Sequence, residues 1–539
     1  MGSTATPAIW QDGGDEIAYQ FGWLDEKNGK SVGLIYGINI TKVQQMVAAG
    51  NTNYYPAAYL WNGQPIQLPA IPRDEAHSGG AGVSISPDGK WLAVGWGEDI
   101  YVLPRPTLDP VTRPTYANGG RVSWQKIKIP GNLASNVGNP PNVSSSPAFF
   151  WDDGHLWVAV GSWSGGLATG YLDGTGVWKS GTHYLTTDTD PNAKWGAITS
   201  SPSWDPEAIY PGTQNDGTLY FAVNNTNSQG PYGDNVFGWA VGFDPVTGKN
   251  YSIGYTVPGG LPGSGDLTWA PCDSSVLVSP TGQSLFIPQR DGTVYWYPAA
   301  PPRILSNGYD FYGAIWSSDA NYDPNNPSTW DISNLALAPD SLGGGRWTLF
   351  RVPEFRNAVD EAVIQWSNNN PTFQDFAAVG KQFQGWIDPS AVKIGSNIEL
   401  LSNTENTVLY APLDADGHIS SAAKQVTYQV PPGVSIPDFA SAVPFPNGGM
   451  AVWTYKGLMI WVPGPYTIFV VAYPNPTTIG AAETAYVTVP DPDTAPDVFA
   501  SLKGRQFRAN GTRKGSHLKN RLSGTLRLQN QRPGGVGGC

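Results

Sequence analysis

Three short apolar runs, separated by turn residues, fill the stretch 82–104 of this chain. The runs are residues 83–85, 91–94 and 100–103. The sequence Pro-Asp-Gly stands between the first two at 87–89, and Trp-Gly-Glu-Asp stands between the other two at 96–99. Both compositions are typical of tight turns. The stretch therefore predicts a meander of three antiparallel strands.

The same order of strand, turn, strand, turn and strand recurs along the chain. One copy precedes residue 70, and others begin near residues 142, 197, 276, 397 and 440. A spacing of roughly 45 to 80 residues, with turn residues at fixed offsets, indicates a β-propeller. We expect an all-β fold over residues 1–489 with seven blades, and six or eight blades also fit the pattern.

Two motifs add a family resemblance to this pattern. The sequence Ser-Pro-Asp-Gly-Lys-Trp-Leu-Ala-Val at 86–94 resembles the blade signature of WD40 and YVTN-type propellers. Phe-Asp-Pro-Val-Thr-Gly-Lys at 243–249 resembles a turn of YVTN and quinoprotein propellers, whereas no repeat has the GH…WD signature of true WD40 repeats, with GH followed by WD. The resemblance implies a propeller fold and no particular activity, because hydrolases, lectins, scaffolds and adhesins share these signatures.

Residues 300–385 interrupt the repeat. After Pro353, apolar residues at positions 355, 359, 362, 363 and 366 have helical spacing. This spacing predicts a helical insertion over about 353–385. Such an insertion either packs against the propeller rim or provides a surface on which a partner docks.

The composition narrows the classes of function. Two cysteines and five scattered histidines provide neither a disulfide framework nor a metal-ligand spacing. We therefore expect no metal and no cofactor. The N-terminal residues lack the features of a signal peptide, and the longest apolar run, 468–473, is far too short to cross a bilayer. We expect a soluble protein without membrane insertion.

The charge is divided unevenly along the chain. Residues 1–500 hold 22 basic and all 43 acidic residues, a net charge of −21. A Pro-rich linker at 490–500 leads to a C-terminal arm, 501–539, that has nine basic and no acidic residues. The basic residues of the arm are Lys503, Arg505, Arg508, Arg513, Lys514, Lys519, Arg521, Arg527 and Arg532.

This arm has three possible roles. It binds nucleic acid phosphates, it docks on the acidic propeller of a neighbouring subunit as an assembly arm, or it is a solvated tail without a fixed partner. The acidic body argues against nucleic acid binding by the propeller itself.

The second turns of all blades collect on one side of a propeller, which we name the second-turn face. Exposed aromatic residues beside Asp, Asn and Arg suit the binding of glycans or proteins. The alternative is that these are ordinary turn residues, with the Trp side chains packed between blades. The candidate ligand-binding residues are Trp96, Asp99, Trp163, Tyr232, Arg290, Asp291 and Tyr455, with Asp234 nearby.

No catalytic motif stands out, so we expect a non-enzymatic interaction or attachment protein. A structural or surface component of a virion or cell-surface appendage fits the charge-poor composition, and glycan binding is its most concrete form. The alternative is a carbohydrate-active hydrolase resembling glycosidase or sialidase propellers. A glycosidase needs two carboxylates about 5–10 Å apart. The candidates for that pair are Glu98, Asp99, Asp234, Asp291 and Glu405.

Overall fold

A computed structural model describes the chain between residues 8 and 488, mainly its strands and the tight turns that join them. Residues 1–7 and 489–539 lie outside the described part, as do several stretches between strands. The longer ones are 46–65, 106–123, 130–141, 226–236, 254–274, 317–332, 377–389 and 472–483.

The described residues form eight antiparallel sheets of four or five strands, which we number 1 to 8 along the chain. Sheet 1 contains β1 (Ala8–Asp12), β2 (Asp15–Asp25), β3 (Lys30–Asn39) and β4 (Ile66–Pro72), and helix α1 (Arg73–Ser78) follows it. Sheet 2 contains β5 (Gly80–Ile85), β6 (Trp91–Trp96), β7 (Asp99–Pro104) and β8 (Gln125–Lys128). Sheet 3 contains β9 (Ala148–Asp152), β10 (His155–Gly161), β11 (Gly166–Leu172), β12 (Trp178–Ser180) and β13 (Tyr184–Leu185). Sheet 4 contains β14 (Gly196–Ala197), β15 (Ser203–Ile209), β16 (Asp216–Asn225), β17 (Phe237–Phe243) and β18 (Asn250–Ile253).

The second half of the chain continues in the same way, with one small additional ladder. Sheet 5 contains β19 (Leu277–Val278), β20 (Ser284–Pro288), β21 (Val294–Pro298) and β24 (Gly313–Trp316), and the short strands β22 (Ile304–Leu305) and β23 (Gly308–Tyr309) pair with each other. Sheet 6 contains β25 (Ser333–Leu337), β26 (Arg346–Pro353), β27 (Asp360–Gln365) and β28 (Thr372–Phe376). Sheet 7 contains β29 (Ser390–Ile394), β30 (Asn397–Asn403), β31 (Thr407–Pro412) and β32 (Val426–Gln429). Sheet 8 contains β33 (Val443–Pro444), β34 (Met450–Thr454), β35 (Gly457–Val462), β36 (Thr467–Val471) and β37 (Thr484–Thr488).

Central strands bury both of their faces, which explains their apolar runs. In β10, Leu156 and Val158 belong to the core between sheets 2 and 3. Trp157 and Ala159 of the same strand belong to the core between sheets 3 and 4. A strand covered on both faces needs apolar residues at successive positions, whereas a half-exposed strand alternates.

Such cores join each sheet to the next from sheet 1 to sheet 7. The first strands of successive sheets also lie side by side, with β5 next to β9, β9 next to β15 and β15 next to β19. This stacking of four-stranded antiparallel sheets around their first strands is the architecture of a β-propeller. The predicted all-β propeller fold is confirmed, and the number of blades in the ring stays a prediction.

Serine residues tie neighbouring sheets together near their first strands. The hydroxyl of Ser84 donates a hydrogen bond to the main-chain oxygen of Pro147, and that of Ser203 donates one to Val276. Ser84 and Ser203 hold equivalent positions in sheets 2 and 4, and each acceptor belongs to the next sheet. Two main-chain N–H groups also donate to a serine of the next sheet. The N–H of Gly82 donates to Ser146 Oγ, and the N–H of Ser146 donates to Ser201 Oγ, both at 3.2 Å.

The Ser-Pro-Asp-Gly segment forms the first turn of sheet 2, as predicted. The main-chain N–H of Trp91 donates to Ser86 Oγ at 2.9 Å, and Ser86 Oγ donates to Asp88 Oδ1 at 2.6 Å. Gly89 has a φ of 68°, which favours glycine, and a Cβ at this position would overlap the indole ring of Trp10. The turn is therefore closed by its own side chains and covered by an aromatic ring from sheet 1.

The predicted helical insertion at about 353–385 is wrong. Sheet 6 occupies this region, with β26 ending at Pro353 and β27 and β28 following it. In β27, Ala362 and Ile364 are buried against sheet 5, so two of the positions that suggested a helix, 362 and 363, belong to a strand; positions 355 and 366 lie outside the described residues. Tertiary packing of β-branched residues outweighs the helical spacing here. This region supplies the sheet that the expected count of seven omitted.

A buried carboxylate joins sheets 6 and 7. Glu361 of β27 is 1% exposed, and its carboxylate accepts the main-chain N–H of Ile419 at 2.8 Å and lies 3.2 Å from His418 Nδ1. Burial raises the pKa of Glu361, while the bonds to Ile419 and His418 oppose this rise and the charge of Asp414 adds to it. Glu361 is therefore a polar contact inside an otherwise apolar interface.

In the described part of the chain, no helix has the length and apolar character required to cross a membrane.

We expect the Gly161→Ala substitution to destabilise the fold by about 1–3 kcal/mol, because it overpacks the junction between sheets 3 and 4. A Cβ at residue 161 would lie 2.7 Å from the main-chain oxygen of Ile198 and would overlap the Ile198 side chain. Gly174→Ala is the matched control, since a Cβ there meets no atom within 4 Å. Denaturant unfolding measures both variants, and equal unfolding free energies would contradict this account of the junction.

The Glu361→Gln variant tests the pH dependence of the link between sheets 6 and 7. A raised pKa means that the folded state keeps a proton that the unfolded state has lost. The contribution of Glu361 to stability is therefore complete below its ordinary pKa of 4.5 and is lost as the pH rises through its raised pKa. We expect the unfolding free energy of the native chain, relative to the Gln variant, to fall over this range in denaturant titrations. Asp416→Asn is the control, because Asp416 is exposed in the turn that runs from Asp414 to His418. A pH-independent difference in unfolding free energy between the native chain and the Gln variant would refute the assignment.

Candidate functional site

The second turns of sheets 2 and 3 are held side by side by a short segment that lies between them. The main-chain N–H of Val143 donates to Gly97 at 2.8 Å, and the N–H of Trp163 donates to the main-chain oxygen of Asn142 at 3.0 Å. Asn142 and Val143 are buried, so this segment is a fixed spacer. The structure therefore brings the turn of Glu98 and the turn of Trp163 to one part of the second-turn face.

The turn that carries Trp163 is stabilised by its own small polar residues. Ser162 Oγ donates to the main-chain oxygen of Gly166 at 2.9 Å and accepts the N–H of Gly166 at 3.0 Å. It also lies 3.0 Å from Ser164 Oγ, and both hydroxyls are buried. Trp163 stands at the tip of this closed turn with 37% of its surface exposed. A rigid turn presents an aromatic ring at a small cost in conformational entropy when a ligand binds.

The structure corrects the expectation that Trp96 is an exposed aromatic residue of this face. Trp96 is fully buried in the core between sheets 1 and 2, and its indole N–H donates to the main-chain oxygen of Pro69 at 2.8 Å. Its ring lies 5.5 Å from that of Phe21 in an edge-to-face arrangement. As the last residue of β6, Trp96 still belongs to the buried strand, and so it cannot stack on a ligand.

Asp99 and Asp291 have partners within the protein. Asp99 of β7 forms an ion pair of 3.0 Å with Lys126 on the neighbouring strand. Asp291, in the second turn of sheet 5, accepts the main-chain N–H of Thr293 at 2.9 Å. Burial raises the pKa of Asp291, although its hydrogen bonds with Thr293 and the charge of Arg351 oppose this rise.

Arg351 is an important residue of this face that the sequence did not single out. Its guanidinium group donates to Asp360 Oδ2 at 2.9 Å and to the main-chain oxygen of Gly292 in the neighbouring sheet. It also lies 4.8 Å from the centre of the Trp316 ring, at a distance typical of a cation–π contact. Arg351 is 3% exposed, so it fixes the Asp291 turn rather than meeting solvent. Two of its partners, Gly292 and Trp316, come from distant parts of the chain, and no local motif reveals them.

The remaining predicted binding residues lie outside the described part of the chain. They are Tyr232, Asp234, Arg290 and Tyr455. The whole basic arm lies outside as well: Lys503, Arg505, Arg508, Arg513, Lys514, Lys519, Arg521, Arg527 and Arg532. Within the described ranges, no group of three or more His, Cys, Asp or Glu side chains is placed to hold a metal ion.

Comparisons with known proteins add only a likeness in fold. No family model matches the chain, and no curated protein sequence matches it. Among solved structures, Sqt1 from Chaetomium thermophilum has 13% identity and a TM-score of 0.45, covering 84% of this chain and 93% of its own. BamB from Moraxella catarrhalis has 12% identity and a TM-score of 0.37, covering 70% and 81%. The β-propeller domain of Cps50 (Swd1) from Myceliophteria thermophila has 11% identity and a TM-score of 0.38, covering 70% and 94%. We take no functional argument from similarities of this size.

We expect alanine substitutions of Trp96 and Trp163 to have different effects on stability. Removing the buried Trp96 side chain leaves a cavity and should cost about 3–5 kcal/mol, whereas removing Trp163 should cost under about 1 kcal/mol. Denaturant unfolding of Trp96→Ala and Trp163→Ala checks this difference. A large loss of stability in Trp163→Ala would show that Trp163 is a structural residue rather than one available to a ligand.

Proposed function

We propose that this chain is a non-enzymatic interaction protein that binds a partner on its second-turn face and is a component of a larger assembly. The observation that supports this proposal most directly is the turn of Trp163. Its hydrogen bonds are satisfied internally, and it presents a large aromatic ring that is 37% exposed. Aromatic side chains in rigid positions are typical of binding surfaces.

The partner that best fits this surface is a glycan. A sugar ring stacks on an exposed indole, and nearby carboxylates and main-chain groups hydrogen-bond its hydroxyls. Glu98 lies in the neighbouring turn, which the Asn142–Val143 segment holds beside the Trp163 turn, and it carries such a carboxylate. Glycan attachment suits a component of a virion or cell-surface appendage, which is the biological setting that we propose.

A hydrolase would require two carboxylates free to act on a glycosidic bond. Of the five candidates, Asp234 and Glu405 lie outside the described residues, Asp99 is paired with Lys126, and the carboxylate of Asp291 accepts the Thr293 N–H within its own turn, which leaves Glu98 alone among the described candidates. These contacts favour structural roles for both residues. We therefore propose binding rather than hydrolysis as the function of this face.

Binding of full-length protein to a glycan array tests the proposal. We expect at least one class of glycan to bind the native chain, and we expect Trp163→Ala to reduce that affinity at least tenfold because the stacking surface is lost. Trp163→Phe should retain part of the affinity, since a smaller ring still stacks.

The matched control is Trp151→Ala. Trp151 is 48% exposed but lies at the opposite end of the same sheet, so its substitution should leave glycan affinity unchanged. Absence of binding to every glycan would refute the glycan version of the proposal. Equal losses in both Trp variants would refute the assignment of the Trp163 surface.

A further inference from the structure

The end of sheet 3 opposite Trp163 carries an exposed apolar surface. We name it the first-turn end, because the first and third turns of the sheet lie there. In the described part of the chain, the exposed large apolar side chains are Trp151, Trp163 and Val177. Trp151 and Val177 lie at this end and are 48% and 41% exposed. They stand at the two edge strands of the sheet, Trp151 in β9 and Val177 just before β12, so a segment that covers both must cross this end of the sheet.

Two acidic residues lie in the turns at this end of the sheet. Asp153 is exposed in the turn after β9, and Asp173 begins the turn after β11. Hydrogen bonds from the Thr175 hydroxyl and the Val177 N–H lower the pKa of Asp173 to about 2, so its carboxylate stays ionised at neutral pH. Lys179 lies 3.6 Å from the Asp173 carboxylate, on the edge strand of the same sheet.

A second observation at this end concerns a hydrogen-bond donor. The indole nitrogen of Trp178 is buried and has no hydrogen-bond partner in the described part of the chain, and the residue as a whole is 6% exposed. The Trp178 ring lies 5.9 Å from that of Phe149, which shares a strand face with Trp151. An unpaired buried donor is costly, so the described residues at this end of the sheet leave one polar group unsatisfied.

We propose that the basic arm, residues 501–539, of a neighbouring copy docks on the first-turn end of sheet 3. The arm has nine basic residues and no acidic ones, which complements Asp153 and Asp173. It also contains the apolar residues Leu502, Phe507, Leu518, Leu522, Leu526 and Leu528. These side chains cover Trp151 and Val177, and the cations pair with the carboxylates. This proposal rests on the proposed role of the protein in a larger assembly.

Isotope-coded cross-linking of the full chain tests the proposal. A photo-reactive phenylalanine analogue replaces Phe507, and natural-isotope and ¹⁵N-labelled chains are mixed before irradiation. We expect mass spectrometry to find cross-links from residue 507 to residues 148–180. In some of these products, one peptide should carry ¹⁵N and the other the natural isotope. The mixed product shows that the arm of one copy contacts the body of another.

Substitutions at the receiving surface sharpen the test. Trp151→Ala should reduce these cross-links at least tenfold, whereas Trp163→Ala, at the other end of the sheet, should not change them. The double variant Asp153→Asn, Asp173→Asn should reduce them at least threefold at moderate salt, because it removes both charges while asparagine at 173 keeps the oxygen that closes that turn. Unchanged thermal melts show that these variants are folded.

Several outcomes would overturn the proposal. Cross-links of a single isotope type would show that the arm binds its own body, and cross-links only to other sheets would place the docking surface elsewhere. Arms that cross-link only to added nucleic acid would identify a different partner. Glycan affinity and cross-linking are measured separately. Absence of glycan binding with cross-links retained means that the Trp163 site fails. Absence of cross-links with glycan binding retained means that arm docking fails.

Discussion

Burial of both faces of sheets 2 to 6 is the constraint on which the rest of this structure depends. The central strands pack one set of side chains against the preceding sheet and the alternate set against the following sheet. Gly95 and Gly161 show how closely each sheet approaches the chain that leads into the next one. A Cβ at Gly95 would overlap Val143, and a Cβ at Gly161 would overlap Ile198. A sheet in this arrangement has no face of its own to expose. Binding residues are therefore confined to turns and strand ends.

That confinement explains why Trp96 and Trp163 differ, although both stand near a second turn. Trp96 is the last residue of a strand and points into the core between sheets 1 and 2. Trp163 lies two residues beyond its strand, in a turn whose serine hydroxyls satisfy the surrounding main chain. A shift of a residue or two along the chain separates a core residue from a residue that a ligand can reach.

The parts of the fold that depend on local chemistry were predictable from the sequence. The Ser-Pro-Asp-Gly turn at 86–89 closes as its residues indicate, and the flanking apolar runs form β5, β6 and β7. Sheet 6 was not predictable in this way, because its buried strands carry apolar residues whose spacing also fits a helix. The contacts of Arg351 with Gly292 and of Glu361 with Ile419 join residues 58 or 59 positions apart, and no local pattern contains them. The candidate site was only partly predictable, since the sequence named Trp163 but could not show which aromatic residues are buried.

The serine hydrogen bonds between sheets have a consequence for how this sequence can diverge. The hydroxyls of Ser84, Ser144 and Ser203 donate to the main-chain oxygens of Pro147, Ile198 and Val276, which are three different residue types. Such a bond depends on the path of the neighbouring backbone and is indifferent to the side chain there. One sheet can therefore change its residues without a compensating change in the next. Repeats held together in this way keep their geometry while their sequences drift apart, and their common origin is then visible in the position of a hydroxyl group rather than in overall identity.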